Sequence, residues 1–238
     1  MSSTPNTVKA QLQSLIELAN SKTGKSDVDL TGAVNTLVSE RDSLIDGSIT
    51  EVYSEAEAVG AMGLANKPNL ITVILPNATD IGYSGISYNS SLKNVNMPKA
   101  RTFGSHGFYQ DISLENINLP SAAYVGSNQF NGCSSLKLVY VSPDGFGTNS
   151  FANCIELKAL IIRRTNHVSA ATNSNLFNNT PIASGTGFIY VPRIKIEDYK
   201  IATNWVTYAS QFRALEDYTV DGTVDGELDW DKVNGGTL

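Results

Sequence analysis

The chain has 238 residues, with 17 Lys+Arg against 23 Asp+Glu, and charged residues make up only 17% of it, below the roughly 25% of ordinary globular domains. Small polar residues take their place: 22 Asn, 25 Ser and 19 Gly. A net charge of −6 argues against a nucleic-acid partner, which needs clustered Lys and Arg, and no apolar run reaches the roughly 20 residues that span a bilayer. Residues 1–215 carry 16 acids and 16 bases, so the whole excess lies in the last segment, Glu216 to Asp231.

In chain order, the start Met1–Asn6 lacks a basic region followed by an apolar stretch, so no secretory signal is expected. Val8, Leu12, Leu15 and Ala19 have helical spacing, and Gly24 is a natural stop. Leu30–Val38 reads as a second short helix. Residues 1–48 are therefore expected to form a helical anchor or oligomerisation segment. The stretch LIELAN…TGKSDVDLTGAVNTLV (15–38) resembles N-terminal segments of tailed-phage structural proteins. That resemblance implies a virion component, which reaches the outside by lysis and needs no secretion signal.

From residue 49 a repeat begins. Gly60, Gly82, Gly104, Gly126 and Gly147 recur every 22 or 21 residues, and Leu70, Leu92, Leu114, Leu136 and Leu157 keep the same beat. An apolar residue precedes each glycine, and Leu64, Ile86, Phe108, Phe130 and Phe151 follow it by four positions. Pro76, Pro98, Pro120 and Pro143 close the segment after each of the first four leucines. The alternation Asn94-Val95-Asn96-Met97 predicts a short strand with its asparagines facing outward. Pro98 would end it, because proline cannot donate to a ladder. A unit of about 22 residues cannot bury its own apolar side, so units must stack.

The strings VGSNQFNGCSSL (125–136) and SFANCIEL (150–157) resemble the BspA-type leucine-rich repeats of bacterial surface proteins. The resemblance covers about 49–215 and implies an α/β solenoid, a right-handed stack with one parallel sheet, N-terminal helices and a helical C-terminal cap. Ser54 and Arg163 stand where the pattern expects proline, and 164–187 is irregular enough to predict an insertion loop anchored at Phe177. The cap is expected over about 189–215: a last strand at Ile189–Pro192, then helices over Ile194–Ala202 and Asn204–Phe212. Trp205, Tyr208 and Phe212 would share one face of the second helix. Residues 216–238 are expected to be an acidic tail, flexible or strand-forming, and its string YTVDGTVDGELD (218–229) also resembles phage virion proteins.

Few residues invite chemistry. His106 and His167 lack a nearby arrangement that reads as a triad. Cys133 and Cys154 occupy the same place in successive units, so they should stack as buried free thiols; a disulfide between parallel Cβ vectors is awkward. Asp221 and Asp225 with Gly226 partly match a calcium loop, but Thr223 and Lys232 occupy ligand positions. The sequons at Asn77, Asn89 and Asn178 are what an Asn- and Ser-rich chain produces by chance. Neither a cofactor nor an enzymatic activity is expected.

Aligned by unit, the outward strand positions are Thr72/Ile74, Asn94/Asn96, Asn116/Asn118, Leu138/Tyr140, Ala159/Ile161 and Phe188/Tyr190. Asn94, Asn96, Asn116, Asn118, Tyr140 and Tyr190 thus form the candidate ligand-binding set on the concave sheet face. Amides offer donors and acceptors, and tyrosine adds a flat apolar face with a hydroxyl. Leu138, Ile161 and Phe188 would make an apolar patch suited to subunit packing in a homo-oligomer. The leading expectation is a non-enzymatic phage tail or baseplate protein whose partners are other virion proteins and a host cell-surface protein or glycan. The alternative is a BspA-type bacterial surface adhesin that binds host protein.

Overall fold

The computed structural model describes residues 49–173 and 175–233. The helices expected within 1–48 lie outside the described residues. Each repeat supplies two short strands where the sequence predicted one. The longer row is β1 (Glu51–Tyr53), β3 (Thr72–Ile74), β5 (Asn94–Asn96), β7 (Asn116–Leu119), β9 (Leu138–Val141), β11 (Ala159–Ile161) and β13 (Phe188–Val191). Between them in sequence come the two-residue strands β2 (Ala58–Val59), β4 (Asp80–Ile81), β6 (Thr102–Phe103), β8 (Tyr124–Val125), β10 (Gly145–Phe146) and β12 (Ala170–Ala171). Every ladder between these strands is parallel, and the expected register is observed: Thr72 lies beside Asn94, Asn118 beside Tyr140 and Ile161 beside Tyr190. Instead of one sheet there are four, because both rows interrupt their hydrogen bonding between β5 and β7 and between β6 and β8.

Main-chain hydrogen bonds at the turns after the second row bridge that interruption. His106, Phe108 and Gln110 donate N–H groups to the carbonyls of Ser127, Gln129 and Asn131, at 3.0, 2.9 and 3.0 Å. Neighbouring units approach so closely at Gly82, Gly104 and Gly147 that an added Cβ would sit 2.7, 2.5 and 2.4 Å from the backbone of the preceding unit, which accounts for glycine at those three places. Inside, Leu70, Leu92, Leu114, Leu136 and Leu157 are fully buried. Phe108, Phe130, Phe151 and Phe177 form a continuous stack with centroids 5.3, 5.6 and 5.4 Å apart.

The stretch 164–187 is not a free loop. Ala170 and Ala171 pair in register with β10, and Phe177 continues the phenylalanine stack. The step from Ala159 to its partner Phe188 is 29 residues, against 21 from Leu138 to Ala159. One use of the extra length is a single-turn helix, α1 (Pro181–Ser184), where Thr180 Oγ1 accepts the Ala183 N–H at 3.2 Å.

After β13 come a 3₁₀ turn (Arg193–Lys195), helix α2 (Ile196–Ile201) and a 3₁₀ run (Val206–Gln211) kinked at Tyr208. The expected helix Asn204–Phe212 is therefore not continuous: Phe212 opens a further parallel strand, β14 (Phe212–Ala214), on β13. Trp205 is buried against Phe146 and Phe177, with Nε1 donating to Ser169 O at 2.6 Å.

The acidic segment does not extend away from the body. A 3₁₀ turn (Leu215–Tyr218) leads into a hairpin in which Thr219 bridges Leu228, and Asp229 N–H donates to Tyr218 O at 2.8 Å. Leu215, Leu228 and Val233 are buried in one cluster with Leu138, Ala159, Ile161 and Tyr190. The apolar patch expected to suit a second subunit is covered by the chain's own hairpin. Hydrophobic burial explains the difference: four apolar residues among the acids, counting Val224, find six outward apolar positions of the sheet.

Candidate functional site

The hairpin divides the outward sheet face in two. Over β9, β11 and β13 the face is covered; over β3, β5 and β7 it is open. Asn94, Asn96, Asn116 and Asn118 are all exposed there. Strand alternation aims them outward, while Ile117 and Leu119 point into the core. Asn94 Nδ2 donates to Thr72 Oγ1 at 3.3 Å, which ties one amide to its neighbouring unit.

Tyr140 stands at the border, half-buried, with the Arg163 guanidinium 5.3 Å from its ring centroid. Burial pushes its phenol above the ordinary tyrosine range, against the pull of Arg163. Tyr190 is fully buried and meets Tyr218 edge-on at 4.8 Å. It anchors the hairpin and leaves the exposed candidate set. The structure thus brings together the four asparagines and Tyr140, but not Tyr190.

Between the asparagine rows and the hairpin lies an open cleft of about 1340 Å³. Its floor is Asn94, Asn96, Asn116 and Asn118; Asp225, Glu227, Leu228 and Trp230 line it from the hairpin side. Arg163 fixes that wall, donating Nη1 to Val224 O and Nη2 to Gly226 O, each at 2.7 Å. At the far side Lys93 joins the lining. Sequence reasoning missed Lys93, Arg163, Asp225, Glu227 and Trp230. Two signals were present: Arg163 breaks the proline period, and Trp230 is an aromatic among acids.

The remaining candidates sit elsewhere. Cys133 and Cys154 are buried and unbonded to each other, donating Sγ–H to Phe108 O and Phe130 O at 2.9 and 3.0 Å; desolvation pushes both thiols up. His167 Nε2 lies 3.2 Å from Asp144 Oδ1, which also takes Arg164 at 2.8 Å. His106 packs between the rings of Tyr83 and Tyr109. Asp221 Oδ1 accepts from Thr223 N–H and Oγ1, which holds its carboxyl below the usual range. Among the described residues no three His, Cys, Asp or Glu side chains gather as metal ligands, and no helix is long and apolar enough to cross a membrane.

A family model described as the BspA type leucine rich repeat region matches six copies over residues 57–184, more than half of the chain. No curated protein matches the sequence. Among solved structures, a leucine rich cell surface protein from Faecalibacterium prausnitzii A2-165 aligns over 49% of this chain and 32% of its own, at 16% identity and TM-score 0.46. A leucine-rich repeat protein from Bacteroides ovatus ATCC 8483 aligns over 48% and 35%, at 24% identity and TM-score 0.38. The matched part thus spans about a third of each of these two structures.

Proposed function

The chain belongs to the BspA-type leucine-rich repeat family, and from that premise we propose that it is a non-enzymatic surface adhesin whose asparagine-lined cleft binds a host protein. The observation that carries this reading is the open half of the outward face: four exposed amides on β5 and β7, each strand paired to its outer neighbour, walled by the hairpin. Preorganised side chains lose little conformational freedom on binding. Asn94, Asn96, Asn116 and Asn118 would pair with main-chain and polar groups of the partner. Trp230 would supply flat apolar contact, and Asp225 with Glu227 would favour basic side chains.

The phage-virion reading loses its supports. It rested on the resemblance of two strings, 15–38 and 218–229, to phage proteins, and the family match falls instead on the BspA-type repeats at 57–184. Family membership backs the adhesin alternative.

The test compares the purified protein with Asn96→Ala/Asn118→Ala in a binding assay on candidate host cells and extracellular-matrix proteins. Loss of about tenfold or more in affinity, one hydrogen bond's worth or more, is expected for the double variant. Equal binding by both proteins would sink the cleft as the site.

A further inference from the structure

A second surface lies away from the cleft, on the turns that follow the two-residue strands. Stretches 60–66, 82–92, 104–110, 126–136 and 147–155 contain no Asp, Glu, Lys or Arg. Soluble domains as a whole carry roughly 25% of these residues, concentrated on their surfaces. In their place stand Asn66, Asn128, Asn131 and Asn153, together with four rings in contact. Tyr83 meets His106 at 5.4 Å, His106 meets Tyr109 at 5.2 Å and Tyr109 meets Tyr88 at 5.3 Å. Tyr83 is 54% exposed and Tyr88 47%. Among the described residues no hydrogen bond ties down the hydroxyls of Tyr83, Tyr88 or Tyr109.

The backbone holds these rings at a cost. Two positions in each turn have positive φ, forming the series Met62, Ser84, His106, Asn128, Asn149 and the series Asn66, Tyr88, Gln110, Gly132, Asn153, Asn179. Most units fill the second series with Asn or Gly, which tolerate that region, whereas Tyr88 adopts φ 63° with a bulky side chain. A bulky side chain held there costs on the order of 1–3 kcal/mol, most of which asparagine at the same turn position avoids. The turns are also rigid: Met62, Ser84 and His106 each donate N–H to the next unit, to Tyr83, Ser105 and Ser127 carbonyls at 2.9, 3.0 and 3.0 Å.

We propose that this turn face binds an uncharged glycan, with Tyr83, Tyr88 and Tyr109 stacking on sugar C–H faces and the neighbouring amides pairing with hydroxyls. Charge selects the ligand class. A protein partner would leave its own charges unpaired against this face, and a polyanion would find no cation there. A neutral sugar needs neither; it needs exposed rings and groups that both donate and accept.

The full chain is titrated by calorimetry with an uncharged mannan, an uncharged β-glucan and, as polyanion, heparin. At least one neutral polysaccharide is expected to bind with Kd below about 1 mM, and heparin not to. Tyr88→Asn is the decisive variant, because Asn66 and Asn153 already occupy that turn position. Its melting temperature should be held or raised while glycan affinity falls about tenfold or more. Tyr83→Ser should act alike, and Asn96→Ala/Asn118→Ala should leave the glycan Kd unchanged. No binding by either neutral polysaccharide overturns the assignment. So does binding unaltered by Tyr88→Asn, or a concentration-dependent dimer that Tyr88→Asn abolishes.

Discussion

One column of buried side chains shows how a single residue tunes the stack. Lys67 N–H donates to Asn89 Oδ1 and Asn89 N–H to Asp111 Oδ1, each at 2.7 Å, and the buried thiols of Cys133 and Cys154 hold the same place in the next units. Each other member also donates: Asn89 Nδ2 to Leu64 O at 3.0 Å, and the two thiols to Phe108 O and Phe130 O. Asp111 alone is a carboxylate there, fully buried, with Oδ2 lacking a partner. Cys133 interacts with it electrostatically, its own thiol pushed up chiefly by burial. Desolvation raises the Asp111 carboxyl well above its ordinary value, opposed by the Asn89 N–H. A raised native pKa contributes stability that is complete below the unfolded value near 3.9 and is lost as pH climbs through the native one. Asp111→Asn should therefore stabilise the protein by about 1–3 kcal/mol at neutral pH and little near pH 3–4, checked by urea unfolding across pH. A wild-type advantage at neutral pH would refute this.

At the scale of elements, the hairpin Tyr218–Asp229 is pinned by the Arg163 fork and by Leu228. Removing two charge-assisted hydrogen bonds in Arg163→Ala should weaken its docking by about 2–4 kcal/mol. Proteolysis between 215 and 233 and a shift in Trp230 fluorescence should reveal it, with the melting of the repeat body little changed. A hairpin as protease-resistant as wild type would show that apolar contact alone holds it. The repeats were legible because a buried stack demands identical residues at identical intervals; Gly104, Leu114 and Phe130 could be placed from period alone. The outward facing of the asparagines was legible for the same reason, since alternation decides which way Asn94 and Asn96 point. The hairpin was not. Leu215, Val224, Leu228 and Val233 have neither strand nor helix period, and the surrounding acids masked them. Tyr190 was misplaced in consequence: alternation aims it outward, but only a distant segment decides whether outward means solvent. The second row of strands was also invisible, because two-residue ladders leave no alternation to read.

For the molecule as a whole, the charge imbalance now belongs to a packed element rather than to a trailing end. Ending the chain after Leu215 should expose Leu138, Ala159, Ile161 and Tyr190 together, a contiguous apolar patch of the kind that drives association. Light scattering and dye binding on the truncated protein should report self-association, whereas the full chain serves as control; a monodisperse truncated monomer would show that the patch tolerates water. The hairpin also sets an order of events. Repeats can stack as they leave the ribosome, each on the one before. Leu228 and Val233 emerge only after every unit they cover. Until those two residues emerge the nascent stack therefore carries a sticky face that they later hide, and any product stalled before residue 228 keeps that face uncovered for chaperones or proteases to find.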